Sequence, residues 1–236
     1  MTKPAGSEGE DPVQASFEFA GPPKRFSDID RGSANTAAIS FLENADAWPF
    51  PVACLIGPPR SGKTTLAMVW ATEIGGFYHT PETLEENRGS AERAATAIAL
   101  DPGDQGLPEN TLLSLINQAS ERGNRLLLTG AVPPMVWPVE NRDLASRLAS
   151  LPVAEIHPPD AEMATARLYS LLRRHFATPP MDVVRYLSPR LKRSYADIES
   201  CAKRLAGRVG SGQALTVALA GTVVNEMYGT EEESDG

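Results

Sequence analysis

Val52-Ala53-Cys54-Leu55-Ile56-Gly57-Pro58-Pro59-Arg60-Ser61-Gly62-Lys63-Thr64-Thr65 decides how this chain is read. The first five residues are apolar without a break, as a strand buried on both faces of a parallel sheet requires. Residues 57–64 match the phosphate-loop pattern G-x-x-x-x-G-K-[ST] at every position. Leu66, Val69, Trp70 and Ile74 then fall on one helical face. Glycines let such a loop curl until its N–H groups converge on an anion. The N-terminus of the following helix adds partial positive charge behind them. Lys63 is placed to reach the β- and γ-phosphates of a nucleotide, and the Thr64 hydroxyl to ligate Mg²⁺. The predicted contacts are therefore Gly57, Pro58, Pro59, Arg60, Ser61, Gly62, Lys63, Thr64 and Thr65.

The bulk properties fit an ordinary globular protein, either one large domain or a domain with a small appendage. The chain has 236 residues, of which 42% are hydrophobic and 22% charged. No apolar run reaches the length of a membrane span, and Met1 to Ser7 lacks the apolar centre of a secretory leader, so a cytoplasmic location is expected. Cys54 and Cys201 stand alone, without a CxxC or a Cys/His cluster, and read as small buried hydrophobes. His79, His157 and His175 are scattered and read as surface or helix-end residues. The formal net charge of −8 argues against an extended nucleic-acid footprint, since duplex binding runs on phosphate neutralisation.

Residues 1–22 are rich in Gly, Pro, Ser and acids and are expected to be disordered. Gln14-Ala15-Ser16-Phe17-Glu18-Phe19 interrupts them. Two phenylalanines in a polar arm are costly to expose; they either pack back on the chain or enter a partner's groove, with Gln14 bonding at its rim. From 23 to 156 apolar runs alternate with helical patterns: helix 35–42, strand 52–56, strand 76–79, strand 97–100, helix 111–122, strand 125–129, helix 143–150 and strand 153–156. That alternation predicts an α/β core, a parallel sheet with helices on both faces. From Pro158 only helical patterns follow, at 164–172, 181–187, 195–205 and 215–227, giving a small all-helical lid over 157–229. Glu231 to Gly236 is a solvated acidic tail.

A phosphate loop needs an acid at the end of a neighbouring strand to complete a Mg²⁺ site, and Ala97-Ile98-Ala99-Leu100-Asp101 offers one. An Asp at a plain strand-to-turn junction reads the same way. The next residue is Pro102, which can neither take a proton nor orient water. Thr129, at the tip of the 125–129 strand, is either a γ-phosphate sensor or a strand-end cap. Arg147 is either a surface helix arginine or a guanidinium that reaches a neighbouring subunit's nucleotide, where such a charge speeds phosphoryl transfer by roughly 10³ to 10⁵.

The order of these motifs, with the stretch Arg142 to Asp160 (R-D-L-A-S-R-L-A-S-L-P-V-A-E-I-H-P-P-D), resembles the AAA+ modules related to the replication initiator DnaA, and among them the Hda-type regulatory inactivators of DnaA. The likeness runs from Gln14 to about Met227. It implies that Arg147 is an arginine finger acting in trans on ATP held by DnaA. It implies that Gln14, Phe17 and Phe19 form a peptide of the form Gln-x-x-Φ-x-Φ that binds the DNA polymerase III sliding clamp (its beta subunit). It implies a negative regulator of chromosomal replication initiation that works as an ATPase activator of DnaA. ADP or ATP with Mg²⁺, the latter on Thr64 and Asp101, are the implied cofactors. Where relatives carry a nucleotide-sensing lid arginine, this chain has Ala196, and Arg193, one turn earlier on the helix, is the substitute. With Pro102, this points to nucleotide binding rather than turnover. DnaA ends in a helix-turn-helix domain; an acidic tail stands here instead, so direct sequence-specific DNA binding is not expected, nor a membrane partner. A homodimer stays open. The competing reading is an AAA+ motor, such as a helicase loader or remodeller, which hydrolyses ATP in its own site.

Overall fold

The computed structural model describes residues 25–86, 97–102, 106–176 and 178–229. The clamp-type peptide with Gln14, Phe17 and Phe19 and the acidic tail lie outside the described residues.

Five parallel strands form the sheet: β1 (Val52–Ile56), β2 (Phe77–His79), β3 (Ala97–Leu100), β4 (Arg125–Gly130) and β5 (Val153–Glu155). Their order is β2-β3-β4-β1-β5. Burial follows position. All five residues of central β1 are buried, whereas edge strand β5 buries only Ala154 between exposed Val153 and Glu155. An unbroken apolar run thus marks a strand with neighbours on both sides and helices on both faces.

Topology decides which helix covers which face. From β1 the chain passes over β4 and β3 to reach edge strand β2; each later crossover runs back in the opposite direction. Right-handed crossovers then place α2 (Lys63–Glu73) on one face, and α3 (Pro81–Glu86), α4 (Glu109–Arg122) and α5 (Arg142–Ser150) on the other. The two core clusters agree. Ala53, Leu55 and Leu127 pack with Leu66 and Trp70 of α2 and with Ile39 and Leu42 of α1 (Thr36–Glu43). Val52, Cys54 and Leu128 pack with Leu112 and Ile116 of α4 and with Leu144 and Leu148 of α5. Alternate side chains of one strand therefore feed two cores.

Gly76 fits where β2 meets β3. A Cβ there would lie 2.4 Å from the Ala97 carbonyl oxygen and 2.8 Å from the Ala97 Cβ. Backbone cannot swing aside as a flexible side chain can, so overpacking of about 1–3 kcal/mol is expected. Gly76→Ala should lower the thermal midpoint by a few degrees to about 10 °C. An unchanged melting curve would remove this steric role.

From Ala161 onward four helices build a third core: α6 (Ala161–Arg173), α7 (Met181–Leu187), α8 (Tyr195–Gly210) and α9 (Val217–Tyr228). Leu168, Leu172, Val184, Leu187, Leu205 and Val223 fill it. Three of these helices start on side-chain caps from Asp160, Ser194 and Thr216, each accepting from the N–H three residues further on.

Burial corrects the sequence reading of one histidine and sharpens that of the cysteines. His79 is neither a surface nor a helix-end residue. It is buried at the end of β2, neither ring nitrogen has a partner among the described residues, and burial lowers its pKa. Both cysteines are free and buried, and burial pushes each thiol up to about 12, which keeps them protonated and inert. Among the described residues no helix is long and apolar enough to cross a membrane.

Candidate phosphate-binding site

The loop after β1 curls by placing three residues at positive φ: Gly57 (159°), Arg60 (64°) and Gly62 (101°), the last being the N-cap of α2. Arg60 is the only non-glycine with positive φ among the described residues. Its side chain leaves the loop and meets Glu199 of α8 at 3.3 Å. Gly57 N–H donates to the Gly130 carbonyl at 3.3 Å, which fixes the start of the loop against the end of β4. Lys63 Nζ donates to the Gly57 and Pro58 carbonyls at 2.8 and 3.0 Å. Burial lowers its pKa, and the nearby Asp101 charge opposes that shift.

The tertiary fold brings Asp101 to the loop. Asp101 Oδ2 accepts from Thr64 Oγ1 at 2.9 Å and from the Tyr78 hydroxyl at 3.3 Å. Burial, then the Asp101 charge, push the Tyr78 phenol up to about 12, so it stays protonated and donates. Tyr78 is a site residue that sequence reasoning missed. Its signal was in the pairing of β2 with β3, which sets Tyr78 opposite Ala99. Pro102 follows Asp101 in an irregular stretch. Thr129 stands opposite Leu55 of β1, 1% exposed, and its hydroxyl has no partner among the described residues. Buried hydroxyls are rarely left unbonded. The Ser61 hydroxyl is in the same state.

A cleft of about 400 Å³ opens beside the loop. One wall is the segment Asp28 to Ser33; the floor is Ser61, Gly62 and Thr65; the far wall is α6 with Met163 and Arg167, closed by Tyr195. Polar ties hold these walls. Ser33 donates to Asp160, the N-cap of α6. His157 N–H donates to the Ala34 carbonyl at 2.9 Å, and the Tyr195 hydroxyl to the His157 carbonyl at 3.2 Å. The N-terminal segment and Arg167 carry no motif, and only the assembled cleft reveals them.

These groups fit a magnesium-bound nucleoside phosphate. Among the described residues no cluster of three or more metal-type ligands exists. A single hydroxyl and a single carboxylate suit Mg²⁺, which takes few protein ligands and completes its shell from phosphate and water. Thr64 and Asp101 would hold the metal, the loop amides and Lys63 the phosphates, and the cleft the nucleoside.

The remaining residues singled out from sequence lie elsewhere. Arg193 precedes α8 instead of standing in it, since Ser194 is that helix's cap, and it does not line the cleft. Ala196 is exposed in the first turn of α8. Arg147 sits on α5, on the other face of the sheet from α2, and is not among the residues lining the cleft. Its side chain is 39% exposed and bonds Asp143 at 3.1 Å, one turn earlier. That helix is firmly placed: Asn141 caps the N–H groups of Asp143 and Leu144, and Glu109 of α4 accepts from the Glu140 and Asn141 N–H groups at 2.6 and 2.8 Å.

No family model and no curated protein matches this sequence. Solved structures do. Domain III of Thermotoga maritima DnaA superposes with a TM-score of 0.68 at 16% identity, over 87% of this chain and 97% of that one. AMPPCP-bound DnaA from Aquifex aeolicus gives 0.61 at 15%, over 80% of this chain and 66% of that chain, so the match spans about two thirds of that protein. A point mutant of Thermotoga maritima RuvB gives 0.58 at 18%, over 87% of this chain and 73% of that one. The chain has a DnaA-like AAA+ fold.

Proposed function

We propose that this chain binds ADP or ATP with Mg²⁺ and regulates replication initiation by presenting Arg147 to ATP held by a DnaA partner. The observation that carries the reading is the separation of two sites. The phosphate loop and the cleft beside it are equipped to grip a nucleotide, yet the position after Asp101 is Pro102. Meanwhile a half-exposed guanidinium stands on a well-anchored helix away from that cleft. A guanidinium that serves its own nucleotide would face its own cleft; one that faces outward suits a neighbour's.

In this reading a bound nucleotide supplies the phosphates that complete the metal shell. Lys63 and the loop amides fix the phosphate chain, Thr64 and Asp101 orient the metal, and α6 closes over the nucleoside. Asn141 and Glu109 hold α5, so that Arg147 meets the partner's phosphates with little reorganisation. The Gln14, Phe17 and Phe19 peptide would tether the chain to the sliding clamp, and tethering raises the local concentration of a weak partner. The resemblance to DnaA structures bound to AMPPCP supports the nucleotide half of this reading.

The test is an assay of DnaA-bound ATP with DNA-loaded clamp. Adding this protein should speed that hydrolysis, the protein alone should turn over ATP near background, and Phe17→Ala with Phe19→Ala should remove the clamp's contribution. Vigorous turnover by the isolated protein, abolished by Lys63→Ala and indifferent to DnaA, would instead establish a motor.

A further inference from the structure

We infer that Arg167, on the cleft-facing side of α6, is the lid's binding group for the phosphate chain of the nucleotide. The inference rests on the nucleotide reading above and names a residue which that reading does not include.

Helix α6 has two faces. Leu168, Leu171 and Leu172 enter the lid core, while Met163, Arg167, Ser170 and Arg174 follow one another at helical spacing along the cleft wall. Across the cleft lie Gly62 and Thr65, at the start of α2, the helix that follows the phosphate loop. Arg167 therefore faces the same space as the phosphate loop.

Its guanidinium has five donors and, among the described residues, makes no hydrogen bond or close ion pair. The charged and titratable groups that bear on it are Arg174, Glu199, Tyr195 and Asp30. Arg174 has the same sign. Glu199 Oε1 is already shared by Arg60 at 3.3 Å and Lys203 at 3.0 Å. Tyr195 stays neutral and donates its proton to the His157 carbonyl. Asp30 is exposed to solvent. Burial first, and then the Arg174 charge, disfavour the charged form of Arg167. A half-buried guanidinium with free donors and no protein acceptor is complete when an oxyanion enters, and phosphate matches its planar fork in both charge and geometry.

Arg193, the residue nominated from sequence, is placed differently. Its charge bears on Asp160, the α6 cap, and it stays out of the cleft. Arg167 reaches the phosphates from α6, and so supplies from another helix the lid cation that Ala196 lacks. It would also couple lid to core, because the phosphates would be gripped from both sides.

The experiment is calorimetric titration of the full chain with Mg-ADP. Arg167→Met keeps the bulk and removes the charge; it should weaken Mg-ADP binding by about 10- to 100-fold, the range for a charge-assisted hydrogen bond. Arg167→Lys restores a cation and should recover at least half of that loss on a logarithmic scale. Arg193→Ala should bind as the wild type does. Wild-type affinity in Arg167→Met, or equal losses in the Met and Lys variants, overturns the inference while leaving nucleotide binding intact. If the wild-type protein takes up no Mg-ADP, the nucleotide reading falls and this inference with it.

Discussion

Arg147→Ala should remove nearly all stimulation of DnaA-bound ATP hydrolysis, a loss of about 10³- to 10⁵-fold if this guanidinium supplies the transition-state charge. Its own nucleotide affinity should not change, because Arg147 does not line the cleft. Stability should barely move either. Among the described residues its side chain bonds only Asp143, in an exposed pair one turn apart, and such pairs contribute about 0.3–0.5 kcal/mol. The combination is diagnostic: a large kinetic effect, a normal melting curve and normal ADP binding. Arg147→Lys should recover little, since a point charge lacks the guanidinium fork. Stimulation that survives Arg147→Ala would remove the residue from the mechanism.

Lys63→Ala should weaken nucleotide binding by about 100-fold or more, on the basis of two charge-assisted contacts to the phosphate chain. Lys63 is already poised at the loop, on the Gly57 and Pro58 carbonyls. Its ammonium is partly desolvated there, and a phosphate partner compensates that cost where water no longer does. The consequence reaches stability. Ligand that binds only the folded state raises the melting temperature by mass action, so the wild type should show a thermal shift with Mg-ADP that Lys63→Ala loses. Equal shifts in both proteins would place the nucleotide somewhere other than this loop.

The phosphate loop is legible in the sequence because its chemistry is local. Glycines, lysine and threonine act within eight consecutive residues, and the strand and helix around them are periodic. Asp101 is legible only as a conjecture, since an acid after an apolar run is common; its bond to Thr64 depends on three strands lying in the right order. Tyr78 and Arg167 are not legible. Nothing in sequence marks a tyrosine on a three-residue strand, or one arginine among several on an amphipathic helix, until the opposing wall is present. His79 is misread for a related reason: a lone histidine's burial is set by the neighbours of an edge strand.

Element types, the parallel sheet and the phosphate loop follow from the order of residues along the chain, because hydrophobic period and loop chemistry are properties of near neighbours. Strand order, the face that each helix covers and the membership of the cleft emerge only in the folded molecule. Those depend on crossover direction and on contacts between residues more than a hundred positions apart, such as Arg60 with Glu199 and Ser33 with Asp160. Linear spacing carries no information about which of many similar side chains will meet across such a gap.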